Sequence, residues 1–398
     1  MIWVTSTFWS ALFIVFYAYL GYGGLLFLLV KMKELFKPGS HSLIQNGDYT
    51  PRVTFIVAAY NEERWVAAKI RNCLAFDYPA ENIQFWFVTD GSTDATPSLI
   101  KNYPAPQNAV IRLFHQPERR GKIAAVERVM PFVQTPVTIF TDANTGVNTQ
   151  AIRLIVRHYQ NPDVGAVAGE KRIANATASD ATGAGEGIYW HYESKLKMWD
   201  ARLHSAVGAA GELFSIRTSL YRPVPHDTLI EDFVMTMNIA MQGFKIEYEP
   251  NAYAVEGQSA GIREELKRKI RIAAGGLQAA FRLRALLNPF RYGLLSFQYF
   301  SHRLLRWTLA PLALPILFLL NVFLAQNGPA IYQVLLIAQV IFYLLAVLGW
   351  LLERKKIRLK ILFVPYYFCM MNYAMYRGFI RLITGRQSVV WEKSKRAA

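Results

Sequence analysis

Residues 83–96 read IQFWFVTDGSTDAT, an apolar run that ends in VTDGSTDAT (88–96), where Asp90 and Asp94 flank a Gly-Ser-Thr turn. Because Asp and Gly favour turns, a plain turn explains this stretch taken alone. Three further runs are rich in β-branched and aromatic residues: VTFIVAAY (53–60), AVIRLFHQ (109–116) and VTIFTDAN (137–144). Helix-like stretches separate the runs, and this alternation predicts a mostly parallel α/β sheet.

Polar and acidic residues lie where the predicted strands end. Those ends read AAYNEE, VTDGST and FTDANT, and parallel sheets bind ligands at the carboxyl ends of their strands. A cluster of carboxylates is costly unless a cation is bound, and a divalent metal that holds a diphosphate would compensate it. Asp142 and Asn144 offer two oxygen ligands, and RRGK (119–122) offers cationic groups for phosphate. Three acidic strand ends therefore indicate a ligand site.

The composition is both basic and apolar. The chain has 398 residues, a formal net charge of +16 and 53% hydrophobic residues. This excludes a disordered chain and a nucleic-acid-binding tail protein, and it is typical of a membrane protein that faces anionic lipid. The two cysteines, Cys73 and Cys369, are far apart and lack metal-ligand spacing, so no disulfide framework or zinc site is expected.

Three apolar stretches are long enough to cross a bilayer as helices: 8–30, 307–326 and 331–352. Lys and Arg follow the first stretch but do not precede it, which predicts an external N-terminus and a cytoplasmic region from 31 to about 306. The segment 361–376 is shorter and has basic flanks on both sides, so it is either a re-entrant or interfacial segment or a fourth crossing.

The predicted organisation has six parts. They are an N-terminal transmembrane helix (1–30), a basic linker (31–50), a cytosolic domain (51–260), amphipathic interface helices (261–306), a transmembrane hairpin with the short fourth segment (307–376) and a basic tail (377–398). The basic, amphipathic stretch 262–287 is expected to form a helix at the cytoplasmic membrane surface.

Five motifs follow one another in the chain: VAAYNEE, VTDGSTDAT, RRGK, TDAN and IEDF. In this order and between membrane helices, they resemble the membrane-embedded family 2 glycosyltransferases, which include the hyaluronan, cellulose and poly-N-acetylglucosamine synthases. The resemblance covers roughly residues 50–280 and extends to LLRWTLAPL and the tail VVWEK. It implies a Rossmann-like GT-A domain with a mostly parallel sheet, joined to a helical transmembrane region in a bacterial inner membrane.

The resemblance assigns donor-side roles and a metal. It implies a uridine diphosphate sugar as donor and a nucleotide pocket lined by Ala59, Tyr60 and Glu62. Asp90 would hold the base or ribose, and Lys122 would lie near the donor. Asp142 matches the first Asp of the Asp-any-Asp motif, and Asn144 replaces the second. An amide oxygen still coordinates Mg²⁺ or Mn²⁺, although without charge. Asp232 is the expected catalytic base, supported by Glu231, although a solvated helix start explains the same pair.

The acceptor side is expected in two segments, 185–193 and 208–217. Their candidate residues are Tyr189, Trp190, Gly211 and Glu212, although core packing explains the aromatic residues equally well. The family's Gln-any-any-Arg-Trp motif reads Arg268-Lys-Ile-Arg271-Ile272 here. Arg271 keeps the phosphate-contacting arginine, but the Trp that meets the acceptor sugar in processive synthases is absent.

Three functions therefore stay open. The first is an inverting transferase that extends a polysaccharide, the second adds one sugar to a lipid-linked acceptor, and the third is a non-catalytic, nucleotide-sensing membrane subunit. One base acting once implies inversion of the anomeric centre. Donor, acceptor and membrane lipid are the expected partners, without nucleic acid. A secretion channel would need a homo-oligomer or an export partner, because the spans are few.

Overall fold

The computed structural model describes residues 1–36, 49–174, 181–257, 261–354 and 360–385, without the side chains of 181–189, 354 and 360. The chain forms two compact units, named here the helical unit and the sheet unit. The helical unit comprises Met1–Leu29, Asn175–Glu193 and Ser259–Gln387, and the sheet unit comprises Val30–Ala174, Ser194–Gln258 and Ser388–Ala398. The predicted VVWEK resemblance (389–393) lies outside the described residues.

The described helices alternate with strands through the middle of the chain. In chain order they are α1 (Ile2–Phe16), α2 (Tyr22–Phe36), α3 (Glu63–Leu74), α4 (Thr96–Lys101), α5 (Lys122–Val129), α6 (Ala151–Val156), α7 (Ala181–Leu203), α8 (Glu231–Met241), α9 (Ile262–Arg282), α10 (Pro289–Tyr292), α11 (Leu294–Tyr299), α12 (Leu305–Trp307), α13 (Leu309–Asn327), α14 (Ala330–Arg354) and α15 (Lys360–Ile383). Single π-helical turns follow α1 (Tyr17–Gly21) and α11 (Phe300–Leu304).

The described strands form one eight-stranded sheet in the order β3-β2-β1-β4-β7-β6-β8-β5. They are β1 (Val53–Ala59), β2 (Ile83–Asp90), β3 (Val110–Gln116), β4 (Val137–Asp142), β5 (Thr145–Val147), β6 (Val164–Ile173), β7 (Leu213–Arg217) and β8 (Lys245–Glu256). The first four in the order pair in parallel, as do β6 and β8, whereas β7 and β5 run antiparallel to their neighbours. The predicted α/β sheet is confirmed.

The register aligns the strand ends that carry the motifs. Ala59 pairs with Thr89, and Ala58 pairs with Asp142. Helices α3, α4, α5, α6 and α8 pack against the sheet and bury β1, β2 and β4 almost completely. Parallel strands covered in this way read as continuous apolar runs, which is why these runs were visible in the sequence.

Gly91 makes the turn after β2 possible. Its φ is +66°, and a Cβ there would lie 2.6–2.8 Å from atoms of Arg119. The Gly91 N–H donates to the carbonyl of Gln116 at 2.9 Å. Only glycine has both the positive φ and the absent side chain that this close approach requires.

Three helices among the described residues are long and apolar enough to cross a membrane: Ile2–Phe36, Leu309–Asn327 and Ala330–Glu353. The first and third contain the predicted spans 8–30 and 331–352, and the second covers 309–326 of the predicted span 307–326. The segment 361–376 lies inside one continuous helix, α15. The structure extends α2 to Phe36, within the predicted basic linker, and ends α9 at Arg282, before residue 287 of the predicted surface helix. The six-part organisation stays a prediction.

The helical unit contains a buried ionic cluster around Glu193. Its Oε1 lies 2.6 Å from Arg303 and 3.1 Å from His302, and its Oε2 lies 3.2 Å from Arg306. Burial alone would raise the pKa of Glu193, but Arg303, His302 and Arg306 outweigh it and hold that pKa well below its usual range. This carboxylate is therefore ionised and joins α7 to the segment between α11 and α13.

Candidate active site

The candidate site lies at the carboxyl ends of β1, β2 and β4 in the sheet unit. Residues far apart in sequence meet there, because α5 begins at Lys122, α8 begins at Glu231, and Gly211 stands two residues before β7. Both Glu231 and Asp232 stand in the first turn of α8, where carboxylates interact favourably with the helix dipole. The two carboxylates therefore do stand at a helix start, as the alternative explanation has it, but they face an ion cluster.

Lys122 connects the members of this cluster. Its Nζ donates to Asp142 Oδ1 at 2.8 Å and lies 3.1 Å from Glu231 Oε1. A Cβ added at Gly211 would lie 3.3 Å from both Lys122 Nζ and Asp232 Oδ2. The side chains of Lys122, Asp142 and Glu231 are mostly buried, with 12–15% of their surface exposed. Burial alone would lower the pKa of Lys122, but the attraction of Asp142 and Glu231 outweighs burial and raises that pKa, so the ammonium stays charged.

The environment perturbs both aspartates. Burial, assisted by the negative charge of Glu231, raises the pKa of Asp232 to about 7, although Lys122 acts in the opposite direction. Burial also raises the pKa of Asp142, because it outweighs the attraction of Lys122. A carboxylate that titrates near neutrality matches the requirement for a general base at physiological pH.

A second ion cluster neighbours the first one. Lys171 contacts Glu212, and its Nζ lies 2.6 Å from Glu256 Oε2. Glu212 and Glu256 both act electrostatically on Asp142. The combined network brings five carboxylates close to Lys122 and Lys171: Asp142, Glu212, Glu231, Asp232 and Glu256.

Asp142 and Asn144 stay the predicted metal ligands. Among the residues that the structure describes, no three His, Cys, Asp or Glu side chains are arranged as a complete metal cage. Mg²⁺ is usually held by one or two carboxylates together with substrate phosphates. The hard oxygen donors of Asp142 and Asn144 therefore fit a divalent cation that binds together with a diphosphate.

The two aspartates of the opening motif tie loops together. Both oxygens of Asp90 accept the Arg120 N–H, at 3.0 and 3.1 Å, and Oδ2 also accepts the Gly121 N–H at 2.6 Å. Asp94 accepts the N–H groups of Glu63 at 3.1 Å and Thr96 at 3.0 Å. The stretch is thus a turn whose carboxylates hold the RRGK loop and the loop after β1. Donor binding by Asp90 stays a prediction.

The remaining pocket residues predicted on the donor side lie at the end of β1. Ala59 closes that strand and is buried, and the N–H of Glu62 donates to Thr96 Oγ1 at 2.8 Å. The Tyr60 ring lies under the guanidinium of Arg119, with 3.7 Å between the guanidinium carbon and the ring centroid. The structure therefore brings the AAYNEE, VTDGST and RRGK stretches together.

Other predicted residues belong to the helical unit. Arg271 lies in α9, and Tyr189 and Trp190 lie in α7, where the Trp190 ring is 5.1 Å from Lys269 Nζ. The side chain of Tyr189 is outside the described residues. The roles of these three residues stay predictions, as does that of Glu212, which here pairs with Lys171.

Sequence reasoning missed Lys69 and Lys171. Lys69 lies on the core face of α3 together with Val66, Ile70 and Cys73. A lysine at an apolar position of a helical pattern was the available signal, because lysine is almost never fully buried without partners. Lys171 gave no such signal, since it stands near the end of a strand.

The mostly parallel sheet with its acidic rim agrees with the predicted GT-A fold. Residues 54–222 match the model of glycosyl transferase family 2, so this part of the chain is a family 2 glycosyltransferase domain. The family predicted from the five motifs is confirmed.

Two curated relatives are similar to part of this chain. The chain is 28% identical over 238 residues to a beta-monoglucosyldiacylglycerol synthase of Nostoc sp., covering 57% of this chain and 49% of that protein. It is 26% identical over 242 residues to the poly-beta-1,6-N-acetyl-D-glucosamine synthase of Staphylococcus aureus, covering 60% of this chain and 57% of that protein. The chain spans about half the length of the curated relatives it matches.

The mannosyltransferase PcManGT from Pyrobaculum calidifontis, solved in complex with GDP-Man and Mn²⁺, is similar in fold. The TM-score is 0.71 at 21% identity, and the match covers 96% of this chain and 100% of that one.

Proposed function

We propose that the protein is a membrane-bound inverting glycosyltransferase that moves a sugar from a nucleotide-sugar donor to a glycan or lipid-linked acceptor. The observation that carries the proposal is the cluster in which Lys122 joins Asp142 to Glu231, with Asp232 beside them. It lies at the carboxyl ends of the strands of a family 2 domain, where α/β sheets bind their ligands.

Asp232 acts as the base. The acceptor hydroxyl transfers its proton to this carboxylate while its oxygen attacks the anomeric carbon, and the bond from that carbon to the diphosphate oxygen breaks. The electron pair leaves with the nucleoside diphosphate, and a single displacement inverts the anomeric centre. The pKa of Asp232 near 7 keeps a useful fraction of the carboxylate ionised at neutral pH.

Lys122 balances the charge of the base, and Glu231 helps to hold Lys122 beside it. The Lys122 ammonium offers a buried positive charge toward the departing diphosphate, and it holds Asp142 and Glu231 in place. Mg²⁺ or Mn²⁺, held by Asp142 and Asn144, would supply further neutralisation of the diphosphate charge.

The donor and acceptor classes follow from the relatives. One relative is named for a glycolipid and another for a polysaccharide, so a lipid and a glycan are both candidate acceptors. We propose a UDP-hexose or UDP-N-acetylhexosamine as donor, with GDP-mannose as the alternative because PcManGT was solved with GDP-Man. The three apolar helices support a multi-pass protein of the bacterial inner membrane with a cytoplasmic catalytic domain.

The altered motif at Arg268–Ile272 favours single addition over processive synthesis. It lacks the Gln and Trp of the processive synthases but keeps Arg271. The length of the product distinguishes these two outcomes.

The test is release of nucleoside diphosphate by the full-length protein in nanodiscs. UDP-glucose, UDP-N-acetylglucosamine and GDP-mannose are supplied with Mg²⁺ or Mn²⁺ and with diacylglycerol or a lipid extract, and products are measured by mass spectrometry. Asp232→Asn should lower release by at least about 100-fold, because general base catalysis contributes about 10²–10⁴.

The matched control is Asp163→Asn, since Asp163 is an exposed carboxylate of the same unit. Release that is unchanged in Asp232→Asn, or absent with every donor and lipid, would reject the proposal and favour a nucleotide-sensing subunit.

A further inference from the structure

We infer that Lys69 is a positioning residue, a buried cation that holds the loop 141–145 in the conformation in which Asp142 and Asn144 bind the donor diphosphate and its metal. This inference rests on the proposed function. Lys69 lies in α3, outside the five motifs, and does not itself touch the acidic cluster around Lys122.

All three hydrogens of the Lys69 ammonium are used by this one loop. Its Nζ donates to the Thr145 carbonyl at 2.9 Å, to Thr141 Oγ1 at 3.1 Å and to Thr145 Oγ1 at 3.2 Å. An ammonium has three donors and no acceptor, so it suits a loop that turns three oxygens toward one point. The accepting residues stand on either side of Asp142 and Asn144.

The threonine hydroxyls explain why a cation is needed there. Thr141 Oγ1 donates to the Glu212 carbonyl at 2.8 Å, and Thr145 Oγ1 donates to the Asp142 carbonyl at 2.8 Å. The two hydroxyl oxygens also lie 3.0 Å apart, and since each hydroxyl has only one hydrogen, they cannot bond to each other while both donate to those carbonyls. Lys69 supplies the hydrogens that make this approach favourable.

Burial of the charged Lys69 side chain is energetically unfavourable. Lys69 is 2% exposed, and burial lowers its pKa to about 8. Its neighbours on the same helix face are Val66, Ile70 and Cys73, so an apolar residue would suit the core better. Replacing buried charges by apolar residues is often neutral or stabilising when nothing else depends on them. Here the conformation of the loop depends on the charge.

Asn72 provides a neutral comparison on the same helix. Its Nδ2 donates to the Val147 carbonyl at 2.7 Å, and its Oδ1 accepts the Val147 N–H at 2.8 Å. Asn72 therefore braces β5 just beyond the loop, without a charge and without contact to Thr141 or Thr145. A variant of Asn72 separates general loosening of this region from the specific effect of Lys69.

The test measures hydrogen–deuterium exchange of residues 141–147 and binding of Mn²⁺ in the presence of UDP, followed by electron paramagnetic resonance. It uses the full-length protein in nanodiscs. In Lys69→Met, amide exchange over 141–145 should rise about tenfold or more, and Mn²⁺ affinity should fall about tenfold, since hydrogen bonds to charged groups are the stronger kind. Asn72→Ala should speed exchange at Val147 and leave Mn²⁺ affinity within about twofold.

Exchange over 141–145 that stays within about twofold of wild type in Lys69→Met would overturn the inference, as would equal losses of Mn²⁺ affinity in the Lys69 and Asn72 variants. If Lys69→Met does not fold, Thr145→Val removes one acceptor of the ammonium, and unchanged exchange and Mn²⁺ affinity in that variant would also overturn it. A wild-type protein that neither binds Mn²⁺ with UDP nor releases nucleotide would reject the proposed function, while the exchange data still decide the role of Lys69.

Discussion

Replacing Lys122 with methionine removes the cation shared by Asp142 and Glu231 while keeping a side chain of similar length. The clearest consequence should appear at Asp232, whose pKa of about 7 is held down by Lys122 against burial and the charge of Glu231. Without the lysine, this pKa should rise.

The size of the rise follows from the geometry. Lys122 Nζ and Asp232 Oδ2 each lie 3.3 Å from the same point, the Cβ that a side chain at Gly211 would have. Their separation is therefore below about 7 Å, where an effective dielectric constant of about 20 gives an interaction of about 2 kcal/mol, or between about one and two pH units.

The assay is the pH dependence of kcat/KM for release of nucleoside diphosphate. A base must be ionised to accept a proton, so activity is lost as the pH falls through the pKa of Asp232. In Lys122→Met this loss should occur at a pH about one to two units higher than in wild type. Lys122→Arg keeps the charge and should shift the profile by less than about half a unit. An acidic limb at the wild-type pH in Lys122→Met would refute the assignment of Asp232 as the base beside Lys122.

Three further predictions concern stability and metal. Gly91→Ala should destabilise the protein by about 1–3 kcal/mol, measured as a lower unfolding temperature, because φ is +66° and the new Cβ meets Arg119, whereas Gly146→Ala, with nothing within 4 Å, should have little effect. Glu193→Gln should lower the free energy of unfolding by about 3–5 kcal/mol, because it leaves buried cations without their anion. The control Glu81→Gln, at an exposed position, should leave the unfolding temperature almost unchanged. Equal unfolding temperatures in the two variants would contradict this prediction. Chelation should abolish nucleotide release, and Asn144→Asp should lower the Mn²⁺ concentration that restores it, since a second carboxylate adds charge; an unchanged requirement would argue against Asn144 as a ligand.

The Glu193 prediction has a pH dependence of defined sign. A glutamate whose pKa is depressed in the folded state stabilises that state above its unfolded pKa, and this contribution is lost as the pH falls through the folded value. The folded pKa of Glu193 lies well below the usual range. Wild type should therefore lose its stability advantage over Glu193→Gln only in strong acid.

Local patterns were sufficient for the elements of the fold. The runs 53–60, 83–90 and 137–144 predicted strands because each is rich in β-branched and aromatic residues, and the structure forms β1, β2 and β4 there. The apolar spans were equally visible, since hydrocarbon thickness sets their length. Helix ends were less predictable, as α2 and α9 illustrate, because α2 continues through its charged residues 31–34 and α9 ends before the apolar residues that follow it.

The sequence by itself determined the class of the sheet, the acidic rim and the family, because turn residues and apolar periodicity act over a few neighbouring positions. Only the tertiary structure decided which charges share the site. Lys122 meets Asp142 across 20 positions of sequence, and it meets Glu231 in an element that begins more than a hundred residues later. Lys69, in α3, donates to Thr141 in β4 and to Thr145 in β5, more than 70 positions later in the chain. Such partnerships depend on strand order and on burial, which raises the strength of each charge interaction, and neither property can be read from the residues one at a time.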